Sequence, residues 1–172
     1  MKGVFIALRA LLYATGFVFL WGWIALRLRA YDQGFGNILP SWTPVPGAIF
    51  MGLGGILALA CVGTFIVRGR GTPAPFDAPR KFVAAGPYKH VRNPMYIGGW
   101  TLLVGFGLYL HSISILLFSL AWILFFHLFV VFFEEPNLRD KFGVTYEDYC
   151  KSVRRWLPRL SLHDPTAANR TR

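Results

Sequence analysis

Acidic residues are scarce in this sequence. Eight Asp and Glu stand against 18 Lys and Arg in 172 residues, giving a formal net charge of +10. Cysteine is scarcer still. Cys61 lies inside an apolar stretch and Cys150 in a polar one, with no CxxC pair, which excludes a disulfide framework. His90, His111, His127 and His163 are scattered without metal-ligand spacing, so no metal site is expected. Most informative is where charge is missing altogether. Met95 to Phe133 is 39 residues without Asp, Glu, Lys or Arg; Val45–Val67 has none, and Val4–Leu26 has only Arg9. With 55% hydrophobic and 17% aromatic residues and a mean hydropathy of +0.46, the chain is too unevenly apolar for a soluble domain. It reads as a polytopic membrane protein.

What charge there is flanks these runs. On a soluble protein +10 would point to nucleic acid. Here the positive-inside rule accounts for the basic residues, so no nucleic-acid partner is expected. Val4–Leu26 is longer than a signal-peptide core of about 7–15 residues and is read as a retained anchor. Arg9 lies near its start and can snorkel to the interface. The second span, Val45–Val67, carries small residues at Ala48 and Gly52 and at Gly54 and Ala58. Such spacing lets helices approach closely and permits a homodimer; compositional bias explains it equally well. Met95–Phe133 as one helix would run about 58 Å at 1.5 Å per residue, against a hydrocarbon core about 30 Å thick. It must fold back. "YLHSIS", Tyr109–Ser114, is its most polar point, so a tight helical hairpin is expected over 95–110 and 113–133.

The expected fold is therefore all-α, with about four transmembrane helices, a cytoplasmic loop and a C-terminal amphipathic helix. Arg68–Pro94 holds six basic residues against Asp77, and the segment from Glu134 holds eight basic and six acidic ones. Four spans place both on the same side as Lys2, with both termini cytoplasmic; Arg27 and Arg29 fall on the other side. A bacterial-type inner membrane is the expected location. The expected organisation is a two-helix membrane portion, 1–67, then loop, hairpin and C-terminal helix, 68–160, then a disordered tail, 161–172. Five prolines between Pro73 and Pro94 exclude a long helix in the loop. At this length it is functional or disordered, and the interleaved Phe76, Phe82, Val83, Tyr88 and Tyr96 argue against disorder. Leu138, Phe142, Tyr146, Tyr149, Val153 and Trp156 recur at spacings of three and four, the pattern of an amphipathic helix that Gly143 interrupts. Such a helix either lies on the interface or covers a site made by the loop.

Two polar clusters are pinned to the hairpin's outer ends. "GPYKHVRNPMYIG" leads into its first helix and "FFEEP" leaves its second. An antiparallel pair brings those ends together, so Tyr88, Arg92, Asn93 and Tyr96 should face Glu134 and Glu135. Interfacial belts also place Tyr and Arg at such rims. Adjacent carboxylates are less ordinary, because they repel and cost desolvation unless paired. Arg92 or Arg139 can supply the pairing.

"GPYKHVRNPMYIG", some 35 apolar residues, "EE" and "FGVTYEDYCKSVRRWLP" together resemble the integral-membrane methyltransferases. That superfamily holds the isoprenylcysteine carboxyl methyltransferases and the phospholipid N-methyltransferases. Their pattern is GxYxxxRHPxYxG, a hairpin, EE, then FGxxYxxYxxxVPxxLP, matched here over about Arg80–Pro158. The resemblance implies S-adenosylmethionine as cofactor, held by the C-terminal half without a Rossmann domain. It implies a cofactor-lining segment at Arg80, Lys81, Phe82 and Val83, with Tyr88, Asn93, Pro94, Met95 and Tyr96. It places Glu134 near the methyl acceptor as the catalytic carboxylate, and with Glu135 and Arg92 it makes up the substrate side. The partner implied is a lipophilic acceptor within the membrane: an isoprenoid-linked carboxylate, a phospholipid amine or another small lipophile. Two departures stand out. Asn93 replaces the usual histidine, so no general base is assigned there. The arginine that carboxyl-methylating members carry one turn before the first glutamate is Val130 here, which tilts the reading away from prenylcysteine carboxylates. His127, nearby, is read as a satisfied buried histidine. A nicotinamide-dependent reductase related to the sterol reductases, or a non-catalytic lipid-binding protein, are the competing readings.

Overall fold

The computed structural model describes residues 2–35, 38–69 and 82–158, all helix, turn or coil, with no strand among them. Helix α1 is Lys2–Leu28 and continues as a short 3₁₀ segment, Arg29–Gly34. Helix α2, Pro44–Thr64, begins with proline in its first turn, where the missing N–H costs nothing. It passes into a π-helical turn, Phe65–Gly69. Helices α3, Pro94–Tyr109, and α4, Ile113–Phe129, form the expected hairpin. Its turn falls at Leu110–Ser112. The Ser112 Oγ accepts from Ile115 N at 3.1 Å, capping α4. Asp32 adds a second cap across the bundle, accepting from Ser114 N at 2.9 Å.

Three stretches, Leu8–Gly34, Pro44–Arg68 and Ile113–Phe142, are long and apolar enough to cross a membrane. This is an integral membrane protein. The fourth expected span is α3, whose 16 residues reach about 24 Å, short of a full crossing. It is packed against α2 with almost no side chain between them. A Cβ added at Gly54 would lie 2.6 Å from the Gly98 carbonyl oxygen, and one at Gly105 would lie 2.7 Å from that of Gly47. Of the small residues in α2, Gly54 is buried and Ala58 half-buried on this seam, whereas Ala48 and Gly52 face outward. Gly47, which the small-residue spacing did not single out, completes the seam. Helix α1 lies against α4 through edge-to-face aromatic contacts in which Trp21 meets Trp122 at 6.0 Å and Phe126 at 5.8 Å.

The C-terminal part differs from one amphipathic helix. Helix α5, Glu135–Phe142, continues α4 through a π-helical turn, Val130–Glu134. The chain then breaks at Gly143, at φ +51°, and restarts as α6, Val144–Ser152. The apolar stripe survives the break. Tyr146, Tyr149 and Val153 form a buried cluster with Phe82, Leu138 and Phe142, so the stripe packs on the loop. Arg80 and Lys81, most of the loop before them, and the tail 161–172 lie outside the described residues.

Candidate active site

The hairpin's two outer ends meet. Tyr96, in the first turn of α3, donates its hydroxyl to Glu134 Oε2 at 2.9 Å. Arg92, just before α3, lies 3.2 Å from Glu135. Neighbouring carboxylates serve different partners because successive helical side chains point about 100° apart at 3.6 residues per turn. Glu134 ends the π-turn Val130–Glu134, and such turns recur at functional sites. Glu135 is 2% exposed. Arg155 grips both of its oxygens, at 2.7 and 3.0 Å, and Arg139 adds a contact at 3.4 Å. A buried carboxylate is tolerable only with such pairing. Glu134 has no cation within 4.0 Å among the described residues; its partner is the Tyr96 hydroxyl.

The segment after α6 straps these parts together. Arg92 N donates to Arg154 O at 2.9 Å, and Asn93 Nδ2 to Arg155 O at 3.3 Å. Trp156 Nε1 donates to His127 Nδ1 at 3.0 Å, which satisfies that histidine. Asn93, buried at the mouth of α3, thus holds the strap where a histidine stands in the resembling families. Trp156, expected as the last residue of the apolar stripe, leaves the stripe's cluster and bonds His127 instead. Arg155 carried no site signal in the sequence, because "VRRWLPR" offers several basic residues and nothing that singles one out.

Tyr88 is fixed from two directions. Its carbonyl accepts from the Tyr149 hydroxyl at 2.6 Å, and its ring stands edge-on to Phe65 at 5.2 Å. Burial pushes the Tyr88 hydroxyl well above the ordinary tyrosine range, so it remains protonated.

Two cavities adjoin here. One, of about 150 Å³, lies beneath the loop, α5 and α6; Phe82, Val83, Leu138, Phe142 and Tyr146 line it. The other, of about 290 Å³, lies on the lipid side between α1, α3 and α4, and its walls are mostly aromatic, with Phe17, Tyr96, Phe125 and Phe126 among them. Six residues, Phe65, Tyr88, Arg92, Asn93, Phe129 and Glu134, belong to both. Met95 lines the lipid-side cavity, while Pro94 is fully buried in the packing beside it. Together the cavities fall in the range of small-molecule sites, about 300–1,000 Å³.

Fold and site define an all-helical membrane protein with a water-side and a lipid-side chamber sharing one wall. The phospholipid methyltransferase family model matches residues 42–145. The chain belongs to that family of membrane methyltransferases. No curated protein matches it.

Proposed function

We propose that this protein transfers a methyl group from S-adenosylmethionine to an amine on a membrane-dissolved lipophile. The observation that carries the reading is the shared wall: Glu134 and Tyr88 border both the chamber under the loop, α5 and α6 and the chamber between α1, α3 and α4.

The water-side chamber suits the cofactor in three respects. Arg92 Nε is a buried donor with no partner among the described residues, suited to a carboxylate. Phe82, Phe142 and Tyr146 offer apolar walls for adenine. Tyr88 and Glu134 face the junction, where aromatic rings and a carboxylate stabilise a sulfonium. Arg80 and Lys81 belong to the same proposed surface by family resemblance. When bound, S-adenosylmethionine supplies a methyl group on sulfur and leaves as the neutral thioether S-adenosylhomocysteine.

The protein's part is alignment. Transfer breaks the S–CH₃ bond and forms N–CH₃ in line, so holding the two centres together does most of the work. Glu134 takes the proton that the amine must lose, or balances the ammonium that forms. A carboxylate acceptor fits worse, since it would set two anions side by side. The aromatic lining of the lipid-side chamber favours an amine headgroup for the same reason it favours any alkylated cation. Glu135 acts behind this wall, holding Arg92 and, through Arg155, the strap in place.

Calorimetric titration of detergent-purified protein with S-adenosylhomocysteine, beside NADPH, tests the reading. Saturable binding of the former that weakens at least tenfold in Tyr88→Ala is expected. Glu134→Gln should keep that affinity within about threefold while methyl transfer to dioleoyl phosphatidylethanolamine falls by about two orders of magnitude, the range of a lost acid–base group. Binding of NADPH alone would replace the methyltransferase reading with a reductase.

A further inference from the structure

Helix α1 lies outside the family match at 42–145, yet it builds one wall of the lipid-side chamber. Tyr13, Ala14 and Phe17 line that chamber, and no α1 residue lines the water-side one. The helix is seated by its own stripe. Ala10 and Ala25 are fully buried, and Phe17 packs on Trp122 at 6.2 Å and Phe126 at 6.0 Å. Between these anchors Ala14 is half-buried at the chamber wall. In the same chamber, Phe125 on α4 is 55% exposed and Phe17 on α1 is 38% exposed. The chamber therefore opens sideways to lipid along the α1–α4 seam.

We propose that α1 is the acceptor-selecting element, with Ala14 and Phe17 setting the cross-section of the lipophile that reaches Glu134. The proposal rests on the methyl-transfer reading for its chemistry, but its geometry concerns only the lipid-side chamber. The reacting headgroup sits at the junction and the apolar body leaves between α1 and α4. A methyl side chain at position 14 leaves room beside the headgroup; a longer one takes that room without touching the water-side chamber. The matched core of the fold thus carries the shared chemistry, and the helix outside the match carries the choice of acceptor.

The test compares Ala14→Leu, Phe17→Ala and, as a control on the outward face of α2, Ala48→Leu. The probes are two-chain dioleoyl phosphatidylethanolamine and one-chain 1-oleoyl-lysophosphatidylethanolamine. S-adenosylhomocysteine affinity is measured on each preparation and checks folding of the water side. Ala14→Leu should lower kcat/KM for the two-chain lipid at least tenfold more than for the one-chain lipid, with homocysteine-adduct affinity within twofold of wild type. Phe17→Ala should shift preference toward the bulkier probe, and Ala48→Leu should match wild type. Equal loss for both probes, or unchanged preference in both α1 variants, overturns the proposal. Retained dioleoyl phosphatidylethanolamine, counted by native mass spectrometry, separates this from failure of the methyltransferase reading. If wild type binds no S-adenosylhomocysteine, lower retention in Ala14→Leu than in Ala48→Leu still supports the α1 chamber, and equal retention sinks it.

Discussion

Glu134 and Glu135 are neighbours in the chain, yet one bonds Tyr96 and the other Arg155, since adjacent helical side chains diverge by about 100°. Their meeting with the residues around Tyr88 was legible in the sequence, because an antiparallel hairpin leaves its outer ends little choice. Arg92 and Arg139 were legible as pairing candidates because adjacent carboxylates need cations, and both contact Glu135. Arg155 was not, since its approach depends on a strap whose course no periodicity encodes. It nonetheless makes the two shortest bonds to Glu135. Arg155→Met should cost about 1–3 kcal/mol, the worth of hydrogen bonds to a buried charge, with Arg92 and Arg139 still in place to limit the loss. Arg155→Lys should recover only part, because an ammonium lacks the planar fork. Denaturant unfolding of the three proteins in one detergent would show that order, and a fully restored Lys variant would argue against the bidentate grip.

Among the elements, the hairpin boundaries were readable because length alone forbids a single crossing. The reach of α3 was not, because its 16 residues are apolar enough to pass for a span. Its glycines matter more than its hydrophobicity. At the α2–α3 seam the added Cβ of Gly54→Ala would meet the backbone of Gly98 and Leu102 at 2.6 and 2.7 Å. Overpacking of that kind costs about 1–3 kcal/mol. Gly52→Ala, two residues away, meets nothing within 4 Å and should be neutral or slightly stabilising through helix propensity. Thermal midpoints should separate the two variants; equal midpoints would mean that the seam yields. The broken C-terminal helix has a related cause. The stripe from Leu138 to Val153 shows through the sequence, but Gly143 at positive φ turns one helix into two.

For the molecule as a whole, α1 and α4 bring residue 13 and residue 134 to one chamber, while Asp32 and Ser114 meet at the far end. The start of α1, the loop and α5–α6 therefore share a membrane side. The basic residues of the loop and of the C-terminal part support the cytoplasmic face for it. A cysteine introduced at exposed Lys89 should be labelled by an impermeant maleimide only after cells are opened, and one at exposed Gln33 in intact cells; the reverse pattern would invert the proposed orientation. The strap has a consequence in time. Residues 153–156 are made after every helix they bind, so ribosome order delivers the apolar bundle before its fastening. Until Arg155 emerges, Glu135 has only Arg92 and Arg139 to balance it, and Arg92 and Asn93 lack their partners on the strap. The site is thus fastened only after the helices it joins, and a chain cut short before position 155 would enter the membrane with an unfastened site.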